Sequence, residues 1–591
     1  MATPETHSGF RFYQSNAETE TMTGGYAIAQ MLALYKAGPM FGMGGFQLLP
    51  FYDAVAKVGL THNLINDERT AIFSACAYAQ VSGKPGICDA TLGPGATNLV
   101  TGLSEAQNTA IPLVCLVGDA NREHSRKNMT QEGNQVEILR PTSKEVICVE
   151  SVQRIPEAVR RAFAVATSGR PGPVVINLPE DVCHAEYDFP VSDLYADLVN
   201  VQAPAHRAQP PASDLAIAAE KIAKAERPIL LIGGGIHISR AYEALDRIAS
   251  AENIPVAHTI TGKGSMPCAH PLNAGLFGRY TRCGNDLIEK SDLLIVVGCK
   301  LGEIATKRYQ LIPPNVEIIH IDSNADEFSR TTPTSQCLWG DAQASLDALA
   351  DVLADGAETR KAARAPYAAE LADLMEKWRE ETVERRTSEE SPVHIARMVQ
   401  DISDAMDDDG IIVADGGFAA HWTSLVFNTK IAGRTYVADR GFASIGFGIP
   451  GALGVHMAKP DAQVVAVTGD GGFNMSMGDL ETMLRMNIPA TIIIVNNAAS
   501  GYIKALQNAM YGGHYQSCDL HELDFAKVAD AMGCQGLSVK EPDDLKGALE
   551  KAFAEKGRPT VIDVAVTRDP VRMLPAVDSR TVKIKKGDRP I

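Results

Sequence analysis

Asp470 and Asn497 are the first residues whose types and spacing suggest chemistry. Asp470 lies in Gly469-Asp470-Gly471-Gly472, just after the apolar run Val464–Val467, and Asn497 follows a second apolar run, Thr491–Val495. Short apolar runs that end in turn residues read as buried strands. Between them Phe473, Met477, Leu480 and Leu484 recur at helical spacing, Ser476 and Asp479 have capping-box spacing, and Pro489 closes the segment. The expectation is one helix starting near Ser476. Strand, helix and strand over this length form a right-handed parallel unit, which puts Asp470 and Asn497 at the carboxyl ends of parallel strands. A carboxylate and an amide oxygen beside a helix start suit a hard cation such as Mg²⁺, with phosphate oxygens filling its remaining positions. Glycines let a backbone approach the anion, and a helix N-terminus favours it. The stretch reads as a metal–diphosphate clamp. A GDG turn alone is also an ordinary strand–helix turn.

The elements that must position these residues are many, because 591 residues exceed one core and allow three or four domains. Hydrophobic content of 45% with 21% charged residues describes an ordinary globular composition. A net charge of −17 and a pI near 5.3 argue against nucleic acid or an anionic membrane as partner. No apolar run approaches the roughly 20 residues that span a bilayer. The first twenty residues lack the regions of a signal peptide. The 11 cysteines are scattered without a CxxC pair and read as buried free thiols in a reducing cytoplasm.

Two stretches divide the chain. Val201–Ser213 is rich in Pro and Ala and reads as a linker, and Ala357–Ser391 is charged and helix-forming and reads as a solvated connector. They leave domains at about 20–200, 212–350 and 392–570, with a basic tail at 571–591 that is either solvated or a lid over an anionic substrate. Glu157–Ala164 and Gly547–Ala554 are similar helices, each leading through Gly-Arg-Pro to an apolar strand, Pro173–Leu178 and Thr560–Val566. A duplicated α/β domain fits that echo, as does a recurrent local unit without common ancestry.

The first domain opens with a helix, Gly24–Tyr35, then the glycine-rich strand end Phe41–Phe46. A strand over His62–Asn66 and a helix over Glu68–Gly83 follow. Glu68 in a helix's first turn complements the macrodipole whatever else it does. The central segment begins with an apolar strand entering Gly233-Gly234-Gly235 but lacks GxGxxG, the usual dinucleotide fingerprint; Asp292–Gly298 and Glu317–Asp322 look like further parallel strands.

GDG, a short helix and then Asn496-Asn497 resemble the thiamine diphosphate-binding motif. Glu68 followed by Leu92-Gly93-Pro94-Gly95, and Gln131-Glu132 thirteen residues before Lys144, resemble acetolactate synthase-like enzymes, as do 168–179 and 441–448. The resemblance implies an α/β fold of three doubly wound parallel-sheet domains: pyrimidine-binding, central and diphosphate-binding. It implies that Asp470, Asn497 and the carbonyl of Ala499 hold Mg²⁺, and that Glu68 bonds the aminopyrimidine of thiamine diphosphate. Gly44, Gly45, Gly416, Gly417, Ala443, Ile445, Gly469, Gly471, Gly472, Ser500, Gly501 and Tyr502 would complete the cofactor site. Gln131 would reach the reacting carbon, and Phe46, Tyr502, Ile503 and Leu506 would face substrate. FAD or ADP occupies the central domain of some relatives, and a homodimer or homotetramer is the expected assembly. The implied activity is a carboligase that decarboxylates a 2-oxo acid and transfers the acyl carbanion to a second carbonyl. Alternatives are a non-ligating 2-oxo acid decarboxylase, a 2-hydroxyacyl-CoA lyase, or a catalytically silent cofactor-binding subunit.

Four positions depart from the synthase pattern, the mildest being Ile445, which stands in place of a methionine. Thr130 replaces a phenylalanine, Leu506 a tryptophan, and Ile304 the arginine that helps hold a second pyruvate. Isoleucine cannot clamp a carboxylate bidentately. Unless Lys300 or Lys504 supplies the charge, the expectation is an uncharged acceptor or simple protonation.

Overall fold

The computed structural model describes residues 18–574, so Arg580, Lys583, Lys585, Lys586 and Arg589 of the tail lie outside the described residues. The chain forms two compact units. One runs to Ala75 and resumes over Lys84–Ala205; the other takes Cys76–Gly83 and the chain from His206 onward.

The first unit holds a six-stranded parallel sheet made of Met40–Gly42, His62–Leu64, Gly86–Ala90, Leu113–Asp119, Glu145–Cys148 and Pro173–Pro179. Numbered along the chain, their spatial order is 2-1-3-4-6-5. Helices Gly24–Leu34 and Ile155–Thr167 cover one face, burying Ile28, Met31, Val159 and Phe163 in the core with Ile176 and Val114. An antiparallel ribbon not apparent in the sequence, Thr19–Thr23 with Glu186–Pro190, joins the two ends of the unit.

The second unit holds two parallel sheets. In the first, Pro228–Ile232, Val256–His258, Asn273–Leu276, Leu293–Val297, Glu317–Asp322 and Gln336–Trp339 run in the order 3-2-1-4-5-6, the order of dinucleotide-binding folds. In the second, Ile411–Ala414, Tyr436–Ala438, Val464–Gly469, Thr491–Asn496, Gln535–Val539 and Thr560–Ala565 repeat the order of the first unit, 2-1-3-4-6-5. The echo between the helices 155–167 and 544–554 thus extends to a whole sheet. Central strands are continuous apolar runs, as burial on both faces requires.

Two expectations are corrected. The stretch 357–391 is not merely solvated: helix Ala365–Arg386 buries Tyr367, Leu371, Met375, Trp378 and Thr382, spaced four, four, three and four. The first four join a core shared by Leu231 and Val296 of the central sheet and Ile412 and Val465 of the last one. High charge on its other faces hid that stripe. Likewise, the linker reading of 201–213 ends early, because helix Ala212–Lys224 begins inside it and Arg207 pairs with Asp341 at 2.8 Å.

None of the 11 cysteines is in a disulfide; eight are buried, but Cys148 is exposed, so the expectation of uniform burial does not hold. No helix among the described residues is long and apolar enough to cross a membrane.

Candidate active site

Asp470 and Asn497 sit side by side because strands Val464–Gly469 and Thr491–Asn496 pair in parallel with Gly469 opposite Val495. The helix between them does not begin at Ser476. It starts at Asp470 and runs to Ser476, and a second helix, Asp479–Arg485, follows after a break at Met477-Gly478. Ser476 Oγ bonds back to Gly472 O instead of capping. Glycine in a helix interior costs about 1 kcal/mol relative to alanine, which favours the break. Asp470 therefore occupies the first helical residue, beside unsatisfied amide donors.

Both oxygens converge on one amide. Ala499 N donates to Asp470 Oδ2 at 3.2 Å and to Asn497 Oδ1 at 3.1 Å. Asp470 and Asn497 are buried, and burial raises the Asp470 carboxyl above its ordinary value against the pull of its amide donors. Gly501, whose Cβ would lie 2.6 Å from Asn497 Nδ2, starts the helix Gly501–Tyr511 after Ser500. No group of three or more His, Cys, Asp or Glu side chains capable of holding a metal occurs among the described residues. A cation here would have one carboxylate, one amide oxygen and a carbonyl.

The glycines divide into two kinds. A Cβ on Gly469 or Gly417 would meet no atom within 4 Å, and one on Gly471 would meet only Leu520 Cδ1 at 3.9 Å, so these positions are open to a ligand. A Cβ on Gly472 would lie 2.4 Å from Asp415 Oδ2, and one on Gly416 would lie 2.7 Å from Ser444 O. Those two are required by the protein's own packing.

Asp415, fully buried at the end of Ile411–Ala414, explains that crowding. It accepts from Gly446 N at 2.9 Å, Phe447 N at 3.0 Å and Thr468 Oγ1 at 2.5 Å, pinning the loop 441–448 to two strand ends. Asp415 is not among the residues that the family resemblance implies for the cofactor site. In the pinned loop Ala443 is left-handed at φ 58° and Ile445 protrudes, 44% exposed. Ser444 Oγ is buried without a hydrogen-bond partner. An open glycine turn, an orphan hydroxyl, and a carboxylate–amide pair are what a diphosphate–metal group needs, so the residues fit it.

In the other unit Glu68 opens the helix Glu68–Ser82 and is 6% exposed. Its Oε2 accepts from Asn98 Nδ2 at 2.9 Å, and its Oε1 lies 2.9 Å from the Cβ that Gly95 lacks. Gly93, at φ 64°, packs against the carbonyl of Gln131, itself left-handed at φ 65° with an exposed side chain. The loop 92–95 thus lies between Glu68 and Gln131. The buried neighbour Gln135 was missed in the sequence: it accepts from Gly93 N and donates to Gly118 O and Asn177 Oδ1. Lys144 is tied to Ser168 O and Val165 O, and burial lowers its pKa to about 8. Gly45 is required by Thr91, which its Cβ would meet at 2.4 Å, whereas Gly44 faces the Tyr52 ring at an ordinary 3.5 Å. Phe46 is 59% exposed.

Three sequence profiles of thiamine pyrophosphate enzymes match the chain: the N-terminal TPP binding domain over residues 22–138, the central domain over 215–349, and the C-terminal TPP binding domain over 415–564. The chain belongs to the thiamine pyrophosphate enzyme family. Its relatives include a probable acetolactate synthase large subunit of Methanocaldococcus jannaschii, 34% identical over 94% of this chain and 93% of the relative. Others are the acetolactate synthase large subunit of Corynebacterium glutamicum, 31% identical over 94% and 88%, and the isozyme 2 large subunit of Escherichia coli, 28% identical over 92% and 96%. The chain is an acetolactate synthase-like, thiamine diphosphate-dependent enzyme of C–C bond formation, and its three parallel sheets correspond to the family's three domains.

Tyr502 stands edge-on to Phe418 and His421, each at 5.6 Å between ring centroids. Ile503 is 44% exposed, while Leu506 is buried. Lys504 is tied to Asp519 at 2.5 Å. In the central sheet Gly233 and Gly235 are accounted for by close backbone packing on Gly298.

Proposed function

We propose that this enzyme is a carboligase that decarboxylates a 2-oxo acid and transfers the acyl unit to a second carbonyl compound. The convergence of Asp470 Oδ2 and Asn497 Oδ1 on one amide, beside open Gly469 and Gly471, carries the reading. Asp470, Asn497 and the Ala499 carbonyl would hold Mg²⁺, and with the open glycines they would seat the diphosphate of the cofactor. When bound, thiamine diphosphate supplies stabilisation of the acyl carbanion; the protein supplies orientation and electrostatics. Asn98 holds one oxygen of Glu68, and Oε1 would hydrogen-bond the aminopyrimidine and hold a proton there. Ile445 and the Ala443 carbonyl would support the cofactor from the pinned loop, and Gln131 would bond the reacting group. Assembly as a homodimer or homotetramer belongs to the same reading, as does a cytoplasmic location. FAD or ADP in the central domain is not part of it.

The test is the chain with thiamine diphosphate and Mg²⁺, offered single 2-oxo acids, pairs of 2-oxo acids with aldehydes, and 2-hydroxyacyl-CoA, with products identified by mass spectrometry. Ligated hydroxy-oxo products are expected. Free aldehyde as the only product, or cleavage of 2-hydroxyacyl-CoA alone, overturns the reading.

A further inference from the structure

Position 304 carries no charge, yet a guanidinium is delivered to its neighbourhood from another strand end. Beyond strand Asn273–Leu276, Gly278 has φ 106° and its Cβ would lie 2.4 Å from Ile304 O; only glycine permits that approach. Buried Asn285 clamps Gly278, accepting from its N and donating to its O at 2.8 Å each. The next residue, Arg279, donates its N–H to Ile304 O at 2.8 Å, so its backbone is fixed to that of residue 304.

Arg279 is 9% exposed and reaches toward helix Gly501–Tyr511. Nη1 donates to Tyr502 Oη at 3.4 Å, and Nη2 donates to Glu303 Oε1 at 2.7 Å. Tyr502 follows Gly501, which packs directly on Asn497. Arg308 lies 3.6 Å from the same Glu303 oxygen, so two arginines share that carboxylate. His421, 5% exposed, lies tilted against Tyr280 at 4.4 Å between ring centroids and packs against Tyr502, and its Nδ1 has no hydrogen-bond partner. A guanidinium has five donors, and a carboxylate beside this one gains charge-assisted bonds in a largely dry surround.

We infer that Arg279, with Tyr502 and His421 beside it, binds the carboxylate of a 2-oxo acid in the role that Ile304 cannot fill. The inference rests on the proposed carboligase reading and names the substrate class at that site. It replaces the expectation of an uncharged acceptor: charge absent from position 304 is present one hydrogen bond away. Lys300 is exposed and Lys504 is held by Asp519, so neither is needed for the role.

The test uses the holoenzyme with thiamine diphosphate and Mg²⁺, as wild type, Arg279→Met and Arg279→Lys. Calorimetric binding of oxamate, an unreactive 2-oxo acid mimic, is compared with that of its uncharged methyl ester. Arg279→Met should weaken oxamate about tenfold to hundredfold, Arg279→Lys should recover part of it, and ester and cofactor affinity should stay within about twofold. In turnover, KM for a 2-oxo acid acceptor should rise while the rate with a neutral aldehyde acceptor holds. Equal oxamate binding by all three proteins overturns the inference, as does parallel loss of oxamate, ester and cofactor. Should wild type bind oxamate through Arg279 yet ligate nothing, the carboligase reading fails and the carboxylate site stands.

Discussion

The first and last sheets share the strand order 2-1-3-4-6-5 and use their strand ends for opposite purposes. In the last sheet the ends of Val464–Gly469 and Thr491–Asn496 present Asp470 and Asn497, oxygens that suit a cation, beside glycines that leave space open. In the first sheet the corresponding space is filled by the protein. A Cβ on Gly42 would meet the Asp89 carboxyl at 2.3 Å and one on Gly45 would meet Thr91. The carboxylate that matters there, Glu68, stands on a helix and is held by Asn98. Topology fixes where a ligand can sit, at the carboxyl edge, but side-chain volume and charge decide which part of it is taken. On the proposed function, one copy of the fold would take phosphate and metal, and the other a planar ring.

The widest test of that division sets the two carboxylates against each other. Asp470→Ala should lower Mg²⁺-dependent affinity for thiamine diphosphate by about a hundredfold or more, since the cluster loses its only carboxylate. Glu68→Gln should leave affinity within about tenfold and cut turnover by about 10²–10⁴, the range for a positioned proton-transfer group. Calorimetry and steady-state kinetics on both variants decide it. A common pattern in the two variants would erase the distinction between the sheets.

A finer test separates ligand glycines from packing glycines two residues apart. Gly472→Ala forces a Cβ onto Asp415 Oδ2 and Thr468 Oγ1, and such overpacking costs about 1–3 kcal/mol of stability. Gly471→Ala meets nothing closer than 3.9 Å, so stability should hold or rise by up to about 1 kcal/mol while cofactor affinity falls. Thermal unfolding of the apoprotein, alongside thiamine diphosphate titration, reads both. Unfolding of Gly471→Ala to the same degree as Gly472→Ala would show that the turn is closed by the protein itself.

Much of this arrangement was legible because it is local. The apolar runs, the strand-end glycines and the oxygens after them are set by a few neighbouring residues, and their expected places agree with the structure within a residue or two. What was missed depends on partners distant in sequence. Asp415 is an anchor only because Gly446 and Thr468 come to it. Trp378 is buried only because the two sheets of the second unit meet its helix. Arg279 matters only because Gly278 lets it dock on Ile304. The helix break after Ser476 was hidden by periodicity, since Met477 and Leu480 keep helical spacing across a glycine.

The smallest effect concerns the buried aspartates of the two sheets. Asp415 is held by backbone amides and a threonine, none of which titrates near neutrality. Asp89 is instead held by Tyr52 Oη at 2.7 Å and His62 Nε2 at 2.7 Å. Burial works against charge on His62, but the bond to Asp89 and its charge outweigh that and leave the imidazole's pKa raised. A raised folded value means that the stability from this pair is fully present below the ordinary histidine value, about 6.5, and is lost as pH climbs through the folded value. The first sheet should therefore carry a pH dependence that the last sheet lacks at its own aspartate. His62→Gln should lower the unfolding temperature of the first unit in mildly acid solution, with the difference from wild type shrinking as the solution becomes alkaline. Hydrogen exchange across strands Met40–Gly42 and Gly86–Ala90, followed over the same range, assigns the change to that sheet. A difference independent of pH would mean that His62 contributes packing alone, and both aspartates would then be the same kind of anchor.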